Sequence, residues 1–76
     1  MSRALVPRKL GTVRVSLGLT KAQLAKEAHL QPGMVAWIEP GRFVPYETQL
    51  IKIAESLRKY GWQGDTESLM EDALYD

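Results

Sequence analysis

"LTKAQLAKEAHLQPGMVAWIE", residues 19–39, decides how this chain folds. Thr20 is a good N-cap for a helix over Lys21 to Ala28, in which Leu24, Ala25 and Ala28 form an apolar stripe. Pro32 suits the first turn of a second helix, Pro32 to Glu39, because its missing N–H has no partner there in any case. His29 occupies the turn between them, which must take a left-handed conformation; histidine is among the better tolerated side chains there. Two helices that cross steeply over so short a stretch need a small residue where they touch and apolar anchors from each. Ala25 is that small contact, and Leu24, Ala28, Leu30, Val35 and Ile38 are the anchors.

Helical spacing continues on both sides of this unit. Leu10, Val13 and Leu17 recur at helical intervals up to Gly18, a natural stop. Before them, "MSRALVPR" (1–8) reads as a flexible arm in which Pro7 confines any helix to a start near Arg8. After the unit, Pro40-Gly41 ends the helix, and Pro45 precedes a fourth helix over about 46–59 with Leu50, Ile51, Ile53, Ala54 and Leu57 toward the core. Gly61 and Gly64 bracket Trp62, and Asp65 or Thr66 caps a fifth, acidic helix over about 65–74, with Leu69, Met70, Ala73 and Leu74 on its apolar face. No stretch alternates with period two for long enough to predict a strand. The expected fold is all-α, a compact bundle of about five short helices, with residues 9–76 as one domain.

Composition narrows the classes. The 45% hydrophobic and 25% charged residues fit a globular domain and argue against disorder. Without cysteine there is neither a disulfide framework nor a thiolate zinc site, and His29 as the lone histidine is a poor metal ligand. No apolar run approaches the roughly 20 residues that span a bilayer, so a cytoplasmic protein with no membrane partner is expected. No Ser/His/Asp or Cys/His set and no glycine-rich phosphate loop is present, so neither an enzyme nor a cofactor is expected.

Charge is uneven. Residues 1–42 carry Arg3, Arg8, Lys9, Arg14, Lys21, Lys26 and Arg42 against Glu27 and Glu39, whereas residues 43–76 carry Lys52, Arg58 and Lys59 against seven acids. A basic working surface opposite an acidic end follows from that split.

The 19–39 segment, with motif 20–39, resembles the helix–turn–helix of the phage-repressor and Cro class, the XRE family. Gly18-Leu19-Thr20 before it, and Glu39, Gly41, Arg42, Pro45 and "QLIKIAESL" after it, fall at the family's spacing. The resemblance covers about residues 10–72 and implies a lambda-repressor-like fold. It also implies an ion pair between Arg14 and Glu39, the alternative being two solvated charges. His29 departs from the family's usual glycine.

By the same resemblance Gln31, Pro32, Gly33 and Trp37 fall where family members contact bases, with Met34 beside them. Only Gln31 has an amide able to bond adenine in two places, while an apolar side chain can touch a thymine methyl. Met34 and Trp37, three residues apart, either complete the core, contact DNA or face a protein partner. Thr20, Lys21, Lys26, Arg42 and Tyr46 are the candidate phosphate contacts. Trp62, Leu69, Met70 and Leu74 either form a dimer or partner face or close the monomer's own core.

The expected function is therefore a small sequence-specific DNA-binding transcription regulator, a repressor or other phage-type regulator. It would insert helix 32–39 into the major groove of double-stranded DNA as a homodimer. The alternative is the same fold serving as a protein-interaction module, such as a regulator binding RNA polymerase or an antitoxin.

Overall fold

The computed structural model describes residues 5–72 and builds an all-α bundle from five short helices. They are α1 (Leu10–Ser16), α2 (Lys21–Glu27), α3 (Met34–Ile38), α4 (Glu47–Lys59) and α5 (Thr66–Leu69). Two-residue strands, β1 (Leu5–Val6) and β2 (Glu71–Asp72), pair antiparallel with Leu5 opposite Asp72 and Val6 opposite Glu71. Among the described residues no helix is long and apolar enough to cross a membrane.

One device ends four of the five helices. Among the described residues those with positive φ are Gly18 (77°), His29 (58°), Gly41 (85°) and Gly61 (101°), and each lies just past a helix. At each, the next residue's N–H reaches back to a carbonyl five positions earlier: Leu19 to Arg14, Leu30 to Ala25, Arg42 to Trp37 and Trp62 to Leu57, at 2.8–3.2 Å. The left-handed residue itself donates to Val15, Lys26, Ile38 and Arg58 respectively. This double closure satisfies carbonyls that a helix end leaves without partners. Its residue after the left-handed turn is commonly apolar and folds back on the helix. Leu19, Leu30 and Trp62 follow that rule, the first buried and the others half-buried against the core. Arg42, at the end of α3, does not.

The core gathers Leu10, Leu19, Leu24, Ala25, Ala28, Val35, Ile38, Ile53, Leu57 and Leu69. Ala25 on α2 and Ala28 just past its end are fully buried, and α2 packs against both α3 and α4. On α4, Ile53, Ala54 and Leu57 face inward at helical spacing. Ile51, expected beside them, is instead 43% exposed, because one helical step from Leu50 carries it off the inward stripe. Ser56 takes an inward place and satisfies its hydroxyl on the Lys52 carbonyl at 2.9 Å.

Three further expectations are corrected. Residues 5–8 are not a flexible arm: Leu5–Val6 form β1, Val6 and Pro7 are buried, and Arg8 is turned by its N–H bond to the Val6 carbonyl. The acidic fifth helix stops at Leu69 rather than near residue 74. Met70 is extended (φ −88°, ψ 150°), because the main chain beyond it pairs with β1 and so cannot close further helical turns. Ala73 and Leu74 lie outside the described residues. Finally, α3 starts at Met34, two residues later than expected; Pro32 and Gly33 form a turn closed by Met34 N–H on the Gln31 carbonyl at 3.0 Å.

Candidate functional site

Helix α3 is held to the rest of the molecule from its inner side. Val35 and Ile38 are fully buried, and Glu39 at its end is gripped from α1. Arg14 Nε donates to Glu39 Oε2 at 2.5 Å, Nη2 donates to Oε1 at 3.3 Å, and Nη1 donates to the Leu19 carbonyl at 2.8 Å. Both side chains are nearly enclosed, at 12% and 13% exposure, so this is the ion pair that the family resemblance implied. Gly11 makes room for it: a β-carbon there would lie 3.1 Å from Glu39 Oε1. That role for Gly11 was not read from the sequence, because a lone glycine within a helix also reads as a mere propensity defect.

The outer side of α3 is bare. Gln31, Pro32, Gly33, Ala36 and Trp37 are exposed, Trp37 at 59%. Met34 divides the alternatives, since it is half-buried against the core yet still reaches the surface. Gln31, Gly33, Met34, Trp37 and Phe43 line an open cleft of ≈ 340 Å³. Phe43 belongs to the loop after α3 and is fixed by its N–H on the Trp37 carbonyl at 3.1 Å and by an edge-on contact with Tyr46, ring centres 6.4 Å apart. Gln49 completes the frame. Its Oε1 accepts from the Tyr46 N–H at 2.8 Å while its Nε2 donates to Met34 Sδ at 3.7 Å, tying the start of α4 to the start of α3. Phe43 and Gln49 were both missed in the sequence, and only Gln49 left a signal, as the third residue after a helix-starting Tyr46.

The expected phosphate contacts divide in two. Lys21, Lys26, Arg42 and Tyr46 are exposed, and Arg42 is pinned beside Trp37 by its N–H bond to that residue's carbonyl at 2.9 Å. Thr20 is engaged within the fold: its Oγ1 accepts from Gln23 N–H at 3.0 Å and its own N–H donates to Gln23 Oε1 at 2.8 Å. Glu47, exposed in the first turn of α4, places a negative charge next to Tyr46.

Both acids of the described basic half have partners within the fold, Glu39 nearly enclosed and Glu27 at the surface. Glu39 is bound by Arg14; Glu27 accepts from the Tyr60 hydroxyl at 3.1 Å and lies 3.9 Å from Lys59 Nζ. The hydrogen bond to Glu27 pushes the Tyr60 hydroxyl pKa above its ordinary value. Among the described residues, Lys21, Lys26 and Arg42 make no ion pair.

The set Trp62, Leu69, Met70 and Leu74 does not form one outward face. Leu69 is fully buried in the core, because α5 turns its apolar side onto α4. Trp62 packs against the core as well, its ring so close over Gly64 that a β-carbon there would lie 2.3 Å from Cζ2, and Arg58 sits 6.0 Å from the ring centre. Met70 is half-buried, and Leu74 lies outside the described residues.

No family model, curated protein or solved structure matches the chain.

Proposed function

We propose that the protein is a DNA-binding transcription regulator of the phage-repressor and Cro type, acting in the cytoplasm. The outer face of α3, from Gln31 to Trp37, enters the major groove, and Lys21, Lys26, Arg42 and the Tyr46 hydroxyl hold phosphates on either side. One observation carries this reading. The bare face of α3 is edged by Arg42, a cation at the one helix end where the fold elsewhere puts an apolar residue, while Glu27 and Glu39 are already engaged by cations of the fold. Phosphates therefore meet positive charge there without a free carboxylate from that half of the chain. Two copies on a palindromic site would combine their contacts, which suits a domain whose single set is small.

The test is a titration with random-sequence duplex DNA at low and moderate salt, read by Trp37 fluorescence in a Trp62→Phe variant that keeps a ring over Gly64. About four phosphates per copy predict a slope of log affinity on log salt near −3.6, so affinity falls roughly 100-fold between about 50 and 200 mM salt. Absence of binding even at low salt would overturn the reading.

A second reading has its own observation. Trp37, exposed beside the cleft it shares with Met34 and Phe43, resembles an anchor of a protein interface. On that reading the domain binds a protein such as RNA polymerase or a toxin, and binding depends on Trp37 with little response to salt or to Arg42→Ala.

A further inference from the structure

We infer that the cleft at the start of α3 reads the 5-methyl group of a pyrimidine, whether thymine or 5-methylcytosine, in the major groove. This rests on the DNA-binding reading and deepens it. The 5-methyl group is the largest apolar feature that base pairs present in that groove, and a hydrogen-bonding side chain cannot detect it. Detection needs an apolar surface that loses water when the methyl arrives.

The cleft has that character. Met34, Trp37 and Phe43 provide its walls and Gly33 one edge, and among the described residues no charged side chain lines it. Gln31 is its polar lining side chain, and an amide there can take adenine in two places beside the methyl. The groove floor can come close because Gly33 has no side chain and a β-carbon built there would meet nothing within 4 Å. Charge decides the occupant. The main-chain N–H of Arg42 bonds to the Trp37 carbonyl, which sets this exposed cation next to Phe43 of the cleft, while Glu39 is bound by Arg14 and Glu27 lies beside Lys59. A phosphate-lined groove complements that arrangement; an apolar peptide would cover Trp37 but leave the neighbouring cations unanswered.

Four short alternating duplexes test the inference: dA·dT against dA·dU, and dG·dC against the same duplex carrying 5-methylcytosine, all measured by fluorescence anisotropy of labelled DNA. In each pair the methylated member is expected to bind about fourfold more tightly per methyl contacted, with the same salt slope. Gly33→Leu should remove the difference. Gly33 has φ −90°, which any residue adopts, and a β-carbon there meets nothing within 4 Å, so leucine adds bulk at the cleft's edge without a clash in the fold. Equal binding within both pairs overturns the inference and leaves the DNA-binding reading intact. A preference that survives Gly33→Leu reports duplex flexibility rather than methyl contact and also overturns it. No binding to any duplex at low salt overturns both and turns attention to a protein occupant.

Discussion

His29 stands at φ 58°, where the ends of α1, α3 and α4 each have glycine. A left-handed L residue costs roughly 1–2 kcal/mol, and replacing it by glycine returns only part of this because glycine gains more freedom in the unfolded chain. His29→Gly is therefore expected to raise stability by about 0.5–1 kcal/mol, seen as a thermal midpoint several degrees higher. An unchanged midpoint would mean that the imidazole offsets its own strain. Arg14 and Glu39 act in the opposite sense. Glu39→Ala strands a nearly enclosed guanidinium and is expected to cost about 3 kcal/mol. That is a large share of the roughly 4–11 kcal/mol that a chain of this length commands. Denaturant unfolding measures it, and Arg14→Met combined with Glu39→Leu should cost clearly less than the two single losses added together.

The helices show what local sequence can and cannot specify. Gly18, Gly41, Gly61 and the His29 turn mark four helix ends because the left-handed closure needs only neighbouring residues. Thr20 with Gln23 caps α2 for the same reason. The end of α5 was misplaced because Leu69, Met70, Ala73 and Leu74 keep helical spacing, while the chain's partner at that point is β1, which lies at the other end of the sequence. The cleft was only half legible: Gln31, Gly33, Met34 and Trp37 lie in one stretch, but Phe43 and Gln49 arrive from a loop and another helix. The start of α5 carries a pH prediction. Asp65 accepts from the hydroxyl and the N–H of Ser68, and the Ser68 hydroxyl, then its N–H, hold the carboxyl below its ordinary pKa. With the folded pKa depressed, the cap contributes above the ordinary carboxylate pKa and is lost as pH falls through the folded value. The Ser68 amide resonance should therefore shift on acidification below about pH 4. In Asp65→Asn it should not; a shift that persists would assign it to another group.

Across the whole molecule the charge split shapes binding. Glu47 opposes phosphate at the start of α4, so Glu47→Gln is expected to tighten DNA binding a few-fold at low salt, and Arg42→Ala to flatten the salt slope by about 0.9. Salt titrations of the two variants measure both, and slopes equal to that of the parent would remove Arg42 from the phosphate contacts. The pairing of β1 with β2 acts at this scale too. Leu5 and Asp72 are direct partners, and Leu69, just before β2, is a fully buried member of the core. A chain that ends before Leu69 lacks the side chain that fills that place. A nascent chain that has emerged only as far as Asp65 already contains all of α3 and its basic flank, yet its hydrophobic centre is open. Such a chain, made as a fragment, should lack cooperative unfolding by circular dichroism. Premature termination would then yield no half-working domain able to occupy a binding site, only a chain for proteases to clear.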